Sequence, residues 1–139
     1  MDAVITWESF DIKNWDRSFL TATNGLNLVK RRVKTRHLND TLTANLSDAI
    51  YNYYPVTSSL AITDTSTQRH FLVLNDRPQG GTGFRPGRVE LMFNRRGTSQ
   101  DELGMPENLN EFANGEPIRT SHRYWVKVTR DREDLLDTV

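Results

Sequence analysis

The chain contains no cysteine, which excludes disulfides and cysteine-ligated zinc and leaves the redox compartment open. No apolar run approaches the roughly 20 residues that a membrane helix requires, so no membrane span is expected. Neither sign of charge dominates. Lys plus Arg and Asp plus Glu stand at 18 each, for a net charge of zero. Dedicated nucleic-acid or membrane-surface binding needs a basic excess, so neither partner is expected. Histidine is scarce: His37, His70 and His122 lie far apart with no H-x-x-x-H pair, and a metal site needs converging ligands. A G-x-S-x-G nucleophile motif is absent. Gly80-Gly81-Thr82-Gly83 is not followed by Lys-Ser/Thr or by a helical pattern, so it is not a phosphate-binding loop. Met1-Asp2-Ala3 lacks the positive start and apolar core of a secretory signal. The reading is either a cytosolic chain or a piece of a longer protein, and the piece is the expectation.

What is present reads as β-structure. Residues 1–139 fit one domain by size. Ala3 to Trp7 combines β-branched and aromatic residues, as strands do. Ser18 to Leu20 is a brief strand, and Asn24-Gly25 is the strongest two-residue hairpin cue. Leu26 to Lys34 alternates without a purely apolar face. Its basic run, Lys30-Arg31-Arg32-Val33-Lys34-Thr35-Arg36-His37, suits an edge strand whose cations discourage edge-to-edge pairing. It lacks the interleaved aromatics of a base-stacking surface. Residues 38–50 form a polar loop with at most a turn of helix, and carry two glycosylation triplets, at Asn39 and Asn45. Tyr51, Tyr53 and Tyr54 suit packing at a sheet edge better than a sugar platform. Ser58–Thr63 and Gln68–Asn75, joined by the polar turn that opens at Asp64, form an antiparallel hairpin. Thr120 to Thr129 alternates again, and Thr129 to Val139 is a charged tail. No internal repeat and no long apolar stripe at helical spacing occurs. The fold class expected is all-β: an antiparallel β-sandwich of about six to eight strands.

The chain centres on residues 53–107. Two strand-like runs, Phe71–Leu74 and Val89–Phe93, flank a Gly/Pro-rich connection. In the second run Val89, Leu91 and Phe93 share one face, and Glu90 and Asn94 the other. Gly80-Gly81-Thr82-Gly83 and Pro86-Gly87 supply turn chemistry. The two runs read as a β-hairpin, or a longer β–β connection, with its polar ends at one sheet edge. The acids Asp101, Glu102 and Glu107 are close in sequence, but an acidic loop is ordinarily solvated, and no complete active site is visible.

Three blocks carry a resemblance: Asn52-Tyr53-Tyr54-Pro55-Val56-Thr57-Ser58, Asn75-Asp76-Arg77-Pro78-Gln79-Gly80-Gly81, and Gly87-Arg88-Val89-Glu90-Leu91-Met92-Phe93-Asn94-Arg95-Arg96. In order and spacing they resemble the C-terminal β region of the family 38 glycoside hydrolases, the class II α-mannosidases of lysosome and Golgi. The resemblance implies a retaining, zinc-dependent α-mannosidase as the parent, located in lysosome or Golgi or secreted. Zinc and the catalytic aspartate belong to another domain of that parent, so no cofactor and no catalytic residue is expected here. The expected partners are that catalytic domain and a mannose-containing glycan. By position in the family pattern, Arg96, or else Arg95, approaches the mannose site, where a guanidinium can donate a fork of hydrogen bonds. Asp76, Arg77, Gln79 and Gly80 are expected to fix the neighbouring turn rather than touch substrate. Two other readings compete: a stand-alone carbohydrate-binding module, from the tyrosines with Trp15 and Trp125, and a protein-interaction module, from the basic strand and acidic loop.

Overall fold

The computed structural model describes residues 2–34, 52–95 and 119–130. Nine strands lie among them: β1 (Asp2–Glu8), β2 (Ser18–Ala22), β3 (Leu28–Arg32), β4 (Tyr54–Val56), β5 (Ser59–Asp64), β6 (Arg69–Asn75), β7 (Gln79–Thr82), β8 (Arg88–Arg95) and β9 (Tyr124–Thr129). They form two antiparallel sheets, a four-stranded one in the order β1-β8-β7-β4 and a five-stranded one in the order β3-β2-β5-β6-β9. The all-β sandwich is therefore as the alternation implies. Its strand count exceeds six to eight because β4 and β7, of three and four residues, are too short to show a period.

The core lies between the sheets. Leu60 and Ile62 of β5, Phe71 and Val73 of β6, and Val89 and Leu91 of β8 point into it, joined by Ile12, Phe19 and Val56. Each pair sits two residues apart, which is the pleat of a strand with one face buried. A second, smaller cluster lies on the far side of the five-stranded sheet, where Ala61 and Leu72 are packed by Leu20, Leu28 and Leu74. Among the described residues β3 is an edge strand, as its basic run suggested. Its Arg31 turns back over the Tyr54 ring, 4.7 Å from the centroid, and Tyr54 meets Phe19 edge to face at 5.8 Å. Tyr53 donates its hydroxyl to Glu90 Oε2 at 3.0 Å. These two tyrosines serve packing at the sheet, and Tyr51 lies outside the described residues.

Two central expectations are corrected. The runs at Phe71–Leu74 and Val89–Phe93 are not hairpin partners: β6 and β8 lie in different sheets. Gly80-Gly81-Thr82 is not a turn but most of β7, which pairs β4 on one side and β8 on the other. Glycine serves there because side chains of the flanking strands β4 and β8 close over it. A Cβ on Gly81 would stand 2.7 Å from Val56 Cγ2 and 2.8 Å from Leu91 Cδ2. Composition records glycine, but not whether freedom or lack of bulk is the reason for it.

In the β1–β2 connection, residues 9–17, one buried side chain reaches across to a second loop. Asn14 donates from Nδ2 to the carbonyls of Ser18 and Gly83, at 2.9 Å each, and its Oδ1 accepts from the Gly87 N–H at 3.0 Å. Gly87, at φ 80°, packs against Lys13 and the Ser9 carbonyl, so it meets both conditions that favour glycine.

Candidate functional site

The two ends of the sandwich differ in chemistry. At one end β8 finishes at Arg95, opposite Asp2 of β1. The neighbouring β6–β7 turn carries Asp76 and Arg77. Asp76 accepts from Arg77 Nε at 3.2 Å and from the Arg123 N–H at 3.1 Å, and it faces His122 Nδ1 at 3.9 Å. Arg77 also donates to the Ser121 carbonyl at 2.9 Å. The hydrogen bond from Arg77 holds the Asp76 carboxyl below its ordinary value. Partial burial pulls the other way, and the Arg123 N–H and His122 add to the lowering. The pair is a clamp, joining the β6–β7 turn to the approach to β9.

Asn75 and Gln79 extend the clamp inward. Asn75 Nδ2 reaches the carbonyls of Val56, Thr57 and Arg77. Gln79, the first residue of β7, donates to the Met92 carbonyl and to the Tyr124 hydroxyl, at 2.9 Å each. That amide ties β7 and β8 of one sheet to β9 of the other. Tyr124 meets Trp7 edge to face at 4.9 Å. His122 stacks on Tyr124 at 6.1 Å and tilts against Phe93 at 4.5 Å, two residues before Arg95. The end of β8 is thus held from behind by an aromatic and amide layer.

Of the residues singled out in the sequence, Asp76 and Arg77 lie in the turn, while Gln79 and Gly80 belong to β7. Gly80 has room for a side chain, the nearest atoms to an added Cβ being 3.7 Å away. Arg95 is the last residue of β8. Arg96, Asn39 and Asn45 lie outside the described residues, as do Asp101, Glu102 and Glu107. Asn75, His122 and Tyr124 join the clamp although nothing in their types marked them. A faint signal existed for Tyr124, since a tyrosine on an inward strand position needs a partner for its hydroxyl. Among the described residues no group of three or more His, Asp or Glu side chains could hold a metal. The arrangement can orient and donate hydrogen bonds.

An antiparallel two-sheet sandwich with an arginine at the end of a braced strand defines a β-sandwich domain. Comparison with known proteins says what it is part of. The chain is 39% identical over 105 residues to lysosomal alpha-mannosidase of Bos taurus and 38% identical over 105 residues to that of Homo sapiens, covering 75% of this chain and 10% of each relative. Alpha-mannosidase C of Dictyostelium discoideum is 33% identical over 101 residues, which is 73% of this chain and 9% of that protein. No protein-family profile matches the chain. The chain belongs to the family 38 α-mannosidases, matching part of their C-terminal β region. It spans about a tenth of the length of the curated relatives it matches.

Proposed function

We propose that residues 1–139 are one β-sandwich domain, a fragment or processed subunit, of a retaining zinc-dependent α-mannosidase that removes terminal α-mannose from glycans in the lysosome. The domain is non-catalytic. It supports an active site built in another domain and lends it one guanidinium, from Arg96 or, failing that, Arg95. The observation that carries the reading is the bracing of the β8 end. Gln79 holds the Met92 carbonyl, Phe93 rests on His122, and Asp76 anchors the segment leading into β9. A strand end fixed in this way can hold a cation in place for a ligand that arrives from outside the sandwich.

Zinc would act in the parent's other domain; among the described residues nothing fits it, so no step is assigned to it here. The contribution of this chain is orientation: an arginine fork donating to sugar oxygens, shielded from bulk water by the domain boundary.

The test uses an aryl α-mannoside with the isolated chain and with the longer parent. The isolated chain is expected to be inert. In the parent, Arg96→Ala is expected to lower kcat/KM by about a hundredfold, the scale of losing a hydrogen bond from a charged group. Substantial hydrolysis by the isolated chain, or a parent untouched by both Arg96→Ala and Arg95→Ala, would overturn the proposal.

A further inference from the structure

The opposite end of the sandwich holds a cleft of about 270 Å³. It opens where β2 begins, β5 ends and β6 begins, about 17 Å along β6 from Asn75 at the rise of a strand. It is therefore separate from the braced Arg95 end. Ser18 and His70 are buried there, and Phe19 adjoins it with its ring turned into the core. Around them stand Asp16, Lys30, Thr63, Thr65, Gln68 and Arg130.

Three features distinguish it from an ordinary surface crease. First, its polar groups are oriented. Asp16 accepts from the Ser18 N–H at 3.1 Å, from the Ser18 hydroxyl at 2.5 Å and from Lys30 at 3.5 Å. Thr63 Oγ1 lies 2.9 Å from His70 Nδ1. Second, its rim is strained. Arg17 and Gln68 have φ of 56° and 52°, and they are the two non-glycine residues with positive φ among the described residues. Arg17 sits between two lining residues, and Gln68 is itself one. Strain of this kind persists where surrounding structure enforces it, and it gathers at ligand sites. Third, the lining mixes a carboxylate acceptor, two cationic donors, an amide and hydroxyls with the apolar side chain of Leu20.

We infer that this cleft binds one neutral hexose residue of a glycan. A sugar ring needs both donors and acceptors for its hydroxyls and an apolar wall for its C–H face, and the cleft supplies both. An anion would meet the Asp16 carboxylate. An apolar ligand would cover the half-exposed Asp16–Lys30 pair without giving it any further hydrogen bond in exchange for water. The volume lies just under the roughly 300 Å³ at which pockets for drug-sized ligands begin, which suits one ring rather than a chain of them. The site gives the domain a hold on the glycan remote from the end that carries Arg95, and it does not depend on the role of Arg96.

The 139-residue chain is titrated with methyl α-mannoside, methyl α-glucoside and inorganic phosphate, followed by amide chemical shifts. Saturable binding of a hexoside in the millimolar range is expected, with shifts confined to residues 16–20, 63–70 and 130. Gln68→Gly relieves the positive φ, so it should fold at least as well while weakening binding by about tenfold. Asp16→Asn should weaken it similarly, and its unfolding midpoint reports whether the fold survived. No saturation with either hexoside, binding of phosphate alone, or a Gln68→Gly variant that binds as tightly as the native chain each overturns the inference. Because the readout is binding by this chain alone, its failure leaves the proposed support of a mannosidase active site standing.

Discussion

Gly80 and Gly81 are adjacent glycines with opposite constraints. An added Cβ at Gly80 meets nothing closer than 3.7 Å, whereas at Gly81 it meets Val56 Cγ2 at 2.7 Å, Leu91 Cδ2 at 2.8 Å and the Glu90 carbonyl at 3.2 Å. Two of these neighbours are core side chains and the third is backbone, so none can swing aside. Gly81→Ala should destabilise by about 1–3 kcal/mol, as overpacking a close-packed core does. Gly80→Ala should stay within about 0.5 kcal/mol, or stabilise slightly by restricting the unfolded chain. Urea midpoints of the two variants check this, and equal losses would show that conformational freedom rather than bulk governs both positions. Asn14 teaches the same lesson. In the sequence it is one polar residue in a connection; in the fold it makes three buried hydrogen bonds that hold two loops together. Residue type alone cannot show which of many asparagines is buried, because burial is set by segments distant in the chain.

At the scale of elements, local patterns were legible and long-range partition was not. The β5–β6 hairpin could be read because both strands alternate and Asp64 opens the turn between them. Asp64 does bind that turn, accepting from the N–H groups of Ser66 and Thr67. β3 could be read as an edge from its cations. The sheet to which each strand belongs could not be read, so β6 and β8 looked like partners, and β7 vanished into its glycines. The clamp at the Arg95 end was partly legible: Asp76, Arg77 and Gln79 stood out as a block, while their partners Ser121, His122 and Tyr124 lie more than forty residues away. Gln79 and Tyr124 make a test of how the sheets are joined. Tyr124→Phe should cost about 1 kcal/mol, the net worth of one hydrogen bond, and Gln79→Ala about 2 kcal/mol, since it also leaves the Met92 carbonyl without its donor. A double-mutant cycle should show a coupling of about 0.5 kcal/mol or more. Strict additivity would mean that the Gln79–Tyr124 hydrogen bond contributes nothing to joining the two sheets.

The whole molecule carries a common electrostatic signature. Asp16, Asp64 and Asp76 all have carboxyls lowered from an ordinary value of 3.8. For Asp64 the leading cause is the hydroxyl of Ser66, and for Asp76 the Arg77 guanidinium. For Asp16 burial alone would raise the value, but the bonds from Ser18 and the charge of Lys30 outweigh it. Each carboxylate joins segments: Asp16 the start of β2 to β3, Asp64 the β5–β6 turn to the Lys13 N–H, and Asp76 the β6–β7 turn to Arg123. The unfolded chain takes up these protons first as pH falls, since its carboxyls titrate at the higher values. The stability they contribute is therefore complete above about pH 5, and it declines as pH falls through 3.8 and the lower folded values. A fold so tied should hold its urea midpoint from neutrality down to about pH 5 and lose it progressively as pH falls through about 4 and below. Asp76→Asn should be less stable at neutral pH and show a shallower acid slope, because one of the three linked protons is gone. If that variant kept the native slope, the Asp76 clamp would contribute nothing to the acid response, and the brace behind Arg95 would have to rest on Gln79 and the aromatic layer.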